Sequence, residues 1–61
     1  MVSSQEVKFV LDSTGISQKK CSELTTIPQS YLCEFIRDKR LLSQDHMIRL
    51  TNYINKVKVI I

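Results

Sequence analysis

Residues 15–36, with the sequence GISQKKCSELTTIPQSYLCEFI, predict two short helices joined by a tight turn. Ser17 is a good N-cap for the first helix, because its hydroxyl can accept a hydrogen bond from an otherwise unpaired amide of the first turn. Pro28 suits the start of the second helix, where its missing amide would be unpaired in any case. Thr26 is a poor helix former between them, so the chain is expected to turn there. Ile27 is expected to be the apolar residue that the turn buries.

The second of these helices, over about 28–37, is predicted to have two contrasting faces. Leu32, Phe35 and Ile36 recur at helical spacing and form an apolar stripe that is expected to be buried. Outside that stripe lie four other side chains: Gln29, Ser30, Tyr31 and Glu34. A pair of helices built in this way, here over about 17–37, is the layout of a helix-turn-helix, whose second helix enters the major groove of DNA.

Two further helices are predicted outside this motif. The first spans about Ser4 to Ser13; the spacing of Ser3 and Glu6 predicts a capping box, and Gly15 is suited to the left-handed residue that ends a helix. The last is capped by Ser43 and runs to about Lys56. Each of these helices, and the first helix of the motif, is expected to bury one apolar stripe. The residues expected to face inward are Val7, Val10 and Leu11 in the first helix, Cys21 and Leu24 in the first motif helix, and Met47, Leu50, Ile54 and Val57 in the last.

The tail, residues 57–61, is β-branched and alternates at first, which favours an extended segment over a helix. A lone strand must pair or pack to be stable. Two arrangements stay open: the tail covers the core of its own subunit, or it pairs with a second copy of the chain through Val57, Val59, Ile60 and Ile61. The whole chain is expected to be all-α, a single compact four-helix domain over 1–61 with a short extended C-terminal tail.

The charge of the chain is mildly positive, with nine Lys and Arg against six Asp and Glu and a net charge of +3. That balance suits a nucleic-acid binder and also many proteins that bind none. The placement of the charges is more informative, because basic residues lie near the ends of the motif helices, where they could contact a phosphate backbone. The alternative is a set of solvated helix ends. The residues concerned are Lys19, Lys20, Arg37, Lys39 and Arg40.

The composition argues against several other classes of protein. With one His and one Gly, the chain offers no Ser-His-Asp set and no phosphate-binding loop, so we expect neither an enzyme nor a small-molecule substrate or cofactor. His46 alone makes a metal site improbable. Cys21 and Cys33 are expected to be small packed thiols of a reducing cytoplasm. No apolar run reaches the ~20 residues of a membrane span, and the first residues do not resemble a signal peptide.

Over about residues 5–57, the pattern resembles the phage lambda repressor and Cro family of helix-turn-helix proteins, also called the Xre family. Gln18 stands where the family opens its motif with Gln, and Cys21 is the apolar residue three positions later. The polar pair that begins the second motif helix in the family is matched here by Gln29 and Ser30. The apolar positions that match the family are Ile27, Leu32 and Phe35 in the motif and Met47, Leu50 and Ile54 in the last helix.

The chain also departs from the family in three places. Ser22 stands where the family usually has a small Ala between the two motif helices, and Thr26 stands where the turn usually has Gly. A left-handed Thr would be strained, so either the turn differs or some stability is given up. The fifth helix common in the family is replaced by the short tail, and in Cro-like members a C-terminal strand forms the dimer.

The residues and the resemblance together assign roles to the polar face. The amide of Gln29 can bond adenine in a bidentate manner, Glu34 can accept from cytosine N4 or sharpen specificity by repelling phosphate, and Ser30 and Tyr31 can reach base edges. The resemblance implies that Gln18 contacts a phosphate and supports Gln29. The expected DNA-backbone contacts are Gln18, Lys19, Lys20, Lys39 and Arg40.

These assignments predict a sequence-specific regulator of transcription that binds a double-stranded DNA operator. The resemblance implies a small phage or bacterial repressor, or a Cro-like switch, that works in the cytoplasm and reads the major groove with helix 28–37. A dimer would read two half-sites about one helical turn apart. The alternative is a protein-interaction module or antirepressor that uses the same fold to bind another regulator.

Overall fold

Four α-helices follow one another in the computed structural model, which describes residues 1–59. They are α1 (Ser4–Thr14), α2 (Gln18–Thr25), α3 (Gln29–Ile36) and α4 (Gln44–Lys58). Helix α1 contacts α3 and α4, and α2 contacts the same two helices, so α3 and α4 are held between the other pair. The prediction of an all-α, four-helix fold is confirmed.

Serine side chains begin three of these helices as predicted. Their hydroxyls accept backbone N–H hydrogen bonds at 3.1–3.3 Å, and the residues concerned are Ser3, Ser17 and Ser43. Gly15 ends α1 with a φ of 74°, which confirms its predicted left-handed conformation. The capping box is only half formed, because the Glu6 carboxylate binds the Lys58 ammonium of α4 instead of returning to Ser3.

The core contains most of the side chains that the apolar pattern predicts. The buried ones are Val2, Val7, Val10, Leu11, Cys21, Ile27, Leu32, Phe35, Leu50, Ile54 and Val57, with Ile36 and Met47 packed against them. The prediction for Leu24 is wrong, since its side chain is 55% exposed while Thr25 is only 3% exposed. Thr25 follows Cys21 by four residues and so shares its face of α2. Its hydroxyl donates to the Cys21 carbonyl at 2.7 Å, which satisfies the buried polar group.

The predicted extended tail is wrong at its first residues, because α4 continues to Lys58. Val57 follows Ile54 by three residues on the buried face and is only 6% exposed. Burying a Val contributes about 1.5–3 kcal/mol, which outweighs a β preference of at most about 1 kcal/mol. Val57 therefore packs in its own subunit and is unavailable to a partner. Val59 is 84% exposed, and the predicted contacts of Ile60 and Ile61 lie outside the described residues.

Candidate nucleic-acid interface

The first turn of α3 presents Gln29 and Ser30 to solvent. Leu32 and Phe35 on the opposite side of the helix are buried, and they hold α3 against the bundle. The polar face is therefore neither packed inside the molecule nor covered by the described part of the chain. It is an exposed helical surface of the kind that could lie against a groove of DNA.

The N-terminus of α3 differs from those of α1, α2 and α4. Its N-cap is Pro28, which has an extended conformation and makes no hydrogen bond through its side chain. The first-turn amides therefore have no side-chain acceptor, in contrast to the helices that begin at serines. Free amides and the positive end of the helix dipole favour an anion such as a phosphate.

The turn between α2 and α3 is fixed by its side chains as well as by its backbone. Thr26 has the left-handed conformation, with φ 58°, and Ile27 is buried as predicted. The Ser22 hydroxyl donates to the Ile27 carbonyl and so ties the turn to α2. Arg49 of α4 donates to the Thr26 hydroxyl and holds the turn from the other side. The strained turn, residues 26–28, is thus stabilised by side chains of α2 and α4.

The C-terminus of α3 is closed by a Schellman motif. The Lys39 amide donates to the Glu34 carbonyl at 2.7 Å, and the Asp38 amide donates to the Phe35 carbonyl at 3.0 Å. Asp38 takes the left-handed position, with φ 60°, where Gly is the usual residue. Its carboxylate accepts a hydrogen bond from the Ser4 hydroxyl at 2.6 Å, beside the start of α1. This motif turns the chain back, so that Arg40 returns to the outer face of α3.

Arg40 is brought onto two of the residues that were expected to read bases. Its Nε lies 3.3 Å from Glu34 Oε2, and its guanidinium carbon lies 4.2 Å from the centroid of the Tyr31 ring. His46, at the start of α4, packs edge-on against Tyr31 with 6.3 Å between the ring centroids. We call these four residues the Arg40 cluster. The sequence predicts Arg40 as a phosphate contact, but the pattern does not predict its contacts with Glu34 and Tyr31.

The remaining predicted backbone contacts lie at the two ends of the motif. Lys19 and Lys20 are exposed in the first turn of α2, and Lys39 is exposed just after α3. Gln18 is half-buried and lines a shallow pocket together with Ile36 at the end of α3. The structure therefore leaves the three lysines open to an anion. Gln18 lies beside the last residue of α3, whereas Gln29 is the first, so the support of Gln29 by Gln18 stays a prediction.

The two raised pKa values lie in the core and away from the polar face. Burial raises the pKa of the Cys21 thiol to about 11. Burial, and then the neighbouring Cys21, raise the pKa of Tyr53.

Within residues 1–59, no group of three or more His, Cys, Asp and Glu side chains is arranged to hold a metal ion. In the same range, no helix combines the length and the apolar character that a membrane crossing requires.

Comparison of the chain with protein-family models, curated proteins and solved structures found no match. The functional assignment therefore depends on the polar face itself. The features of that face that bear on function are the exposed first turn of α3, the backbone amides there that lack a side-chain acceptor, and the flanking lysines.

Proposed function

We propose that this protein binds double-stranded DNA in a sequence-specific manner and regulates transcription by occupying an operator. The observation that carries the proposal is the first turn of α3, where Gln29 and Ser30 are exposed opposite a buried apolar stripe. Gln29 is suited to a bidentate contact with adenine in the major groove. The open amides at the start of α3 and the exposed lysines supply donors for the phosphates on either side.

A titration against random-sequence duplex at low salt tests the binding. We expect a dissociation constant in the micromolar range that rises steeply with added salt, because each phosphate contact releases counterions. A protein that binds no duplex at low salt would contradict the proposal. Selection of sites from a random DNA pool would then identify the operator and show whether it has two-fold symmetry.

Two substitutions distinguish base reading from backbone contact. Gln29→Ala should cost about 1–3 kcal/mol at the selected site and little on random duplex, because the amide reads a base. Lys39→Ala should weaken binding to both duplexes and reduce the salt slope by about 1. If the two variants changed binding to both duplexes equally, the roles assigned to these residues would be wrong.

Homodimerisation belongs to the same proposal. Val59 is the apolar residue of the described tail that remains exposed, and a second subunit joined there would bring a second α3 to the DNA. Sedimentation of the chain with and without residues 59–61 measures this directly. A mass that is the same for both, at every concentration, would remove the tail from the interface.

The exposed apolar side chains favour the alternative function, a module that binds another regulator. Phe9 is 64% exposed and Leu41 is 91% exposed, and Leu24 is exposed on α2. Single exposed apolar residues are common on soluble proteins, so this observation is weaker than the arrangement of α3. Failure of the duplex titration would favour the alternative.

A further inference from the structure

Arg40 is restrained by two residues of the face that is proposed to meet DNA. The Glu34 carboxylate oxygen Oε2 lies 3.3 Å from Arg40 Nε. The guanidinium carbon of Arg40 lies over the face of the Tyr31 ring, 4.2 Å from its centroid. The Arg40 and Glu34 side chains are each 40% exposed, so the ion pair alone is weak. The cation–π contact restrains the same side chain and adds to it. The Schellman motif after α3 fixes the backbone that carries Arg40 and so favours both contacts.

Arg40 is also well suited to grip a phosphate, because its planar guanidinium can donate two parallel hydrogen bonds to oxygen atoms. A carboxylate and a phosphate compete for the same donors. While Glu34 holds Arg40, the pair presents little net charge to an approaching backbone. Glu34 would then reduce binding to any polyanion that has no hydrogen-bond donor for the Glu34 carboxylate.

We propose that Glu34 is a specificity gate that holds Arg40 against Tyr31 until a base edge supplies a donor for the Glu34 carboxylate. The proposal rests on the proposed function, DNA binding by the face of α3. On random duplex, Glu34 keeps Arg40 and one phosphate contact is not made. At a site where a cytosine amino group meets Glu34, the carboxylate accepts from N4 and Arg40 turns to the adjacent phosphate. Reading one base is thereby coupled to gripping the backbone.

Salt titrations of four proteins test the gate: the wild type, Glu34→Gln, Arg40→Ala and the double variant. The probes are random-sequence duplex and, as a polyanion without bases, heparin. Glu34→Gln keeps the size of the side chain and removes its charge, so Arg40 is released. The slope of log K against log salt on duplex should steepen by about 0.9, and binding at 0.1 M salt should tighten by up to about eightfold. The heparin slope should steepen in the same direction.

Glu34→Gln could steepen the slope by releasing Arg40 or by removing the repulsion between the Glu34 carboxylate and the phosphates. The Arg40→Ala background distinguishes these two causes. There, Glu34→Gln should leave the salt slope unchanged, because there is no arginine to release. Glu23→Gln is the matched control, since it removes one charge from an exposed residue of α2. It should not steepen the slope. An equal steepening with and without Arg40, or none in either background, would overturn the gate.

The outcomes also separate the gate from the proposed function. If the wild type binds duplex and Glu34→Gln leaves the salt slope unchanged, the gate fails and DNA binding stands. If the wild type binds no duplex, the proposed function fails, and with it the coupling to base reading. The heparin slopes then still decide whether Glu34 withholds Arg40 from a polyanion.

Discussion

Replacing Thr26 by Gly should reveal the strain stored in the turn that positions α3. Thr26 has a φ of 58°, where a β-branched residue is rarely found. A left-handed conformation costs an L-residue about 1–2 kcal/mol. Gly avoids that cost but loses about 0.5–1 kcal/mol more backbone entropy on folding. Considering the backbone alone, Thr26→Gly should therefore stabilise the protein by about 1 kcal/mol.

The Thr26 side chain opposes this gain, because its hydroxyl accepts a hydrogen bond from Arg49. Arg49 is itself steadied by Asp45, with 3.1 Å between Nη2 and Oδ2. At this exposed position we expect the hydrogen bond to contribute about 0.5–1 kcal/mol. Thr26→Gly should thus be close to neutral in the wild-type background. In the Arg49→Ala background the hydrogen bond is already absent, so the full gain of about 1 kcal/mol should appear.

Urea denaturation followed by far-UV circular dichroism measures the free energies of unfolding for this double-mutant cycle. A gain of 1 kcal/mol corresponds to a rise of about 4–8 °C in Tm for a domain of this size. Gly15→Ala is the control for backbone strain, because Gly15 has a φ of 74° and an added Cβ would meet no atom within 4 Å. By the same balance of strain and backbone entropy, it should destabilise by about 1 kcal/mol. If Thr26→Gly destabilised the Arg49→Ala protein, the strain argument would be refuted. An equal effect in both backgrounds would refute the compensation by Arg49.

Four further predictions concern the core and the tail. Leu50→Ala removes a fully buried side chain and should lower the free energy of unfolding by about 2–5 kcal/mol, visible as a large drop in Tm. Val57→Ala should destabilise the fold by about 0.5–3 kcal/mol, whereas Val59→Ala, on the exposed side, should change it by less than about 0.5 kcal/mol in the same melts. The buried Cys21 should react with a thiol reagent only after unfolding, and the half-buried Cys33 should react first. Because burial raises the pKa of Cys21 to about 11, the unfolded chain releases a proton that the native chain keeps between about pH 8.5 and that value. Stability should therefore fall as pH rises through this window, and Cys21→Ala should flatten that part of the pH profile in urea denaturation.

The helices were predictable because their signals are local. Serine caps and Gly15 fix where helices begin and end within one turn of sequence. The two errors arose where tertiary contacts outweighed local preference. Thr25 is buried in place of Leu24 because it shares the face of α2 on which Cys21 packs into the core, and the Cys21 carbonyl satisfies its hydroxyl. Val57 stays helical because the core offers a place for it one turn after Ile54.

The candidate site was predictable only in part, for the same reason. The exposure of Gln29 and Ser30 follows from the apolar stripe on the other side of α3. The Arg40 cluster does not follow, because Glu34 and Arg40 are six residues apart, and nothing in that spacing brings them together. Their contact depends on the left-handed conformation of Asp38, a position that Gly usually takes, and no Gly marks it in this sequence.

The orientation of α3 is therefore set by its two ends and its buried stripe more than by its own helix propensity. At eight residues, α3 is too short to be stable alone, and its N-cap makes no side-chain hydrogen bond. Its first turn is anchored by the buried Ile27, whose carbonyl is bound by Ser22. Its last turn is anchored by Asp38, whose carboxylate is bound by Ser4 of α1. Leaving the first turn uncapped costs stability in the free protein and leaves its amides for an anion to bind. Gln29 is thereby exposed at the first turn of a helix held at both ends, which is the position that the proposed base contact requires.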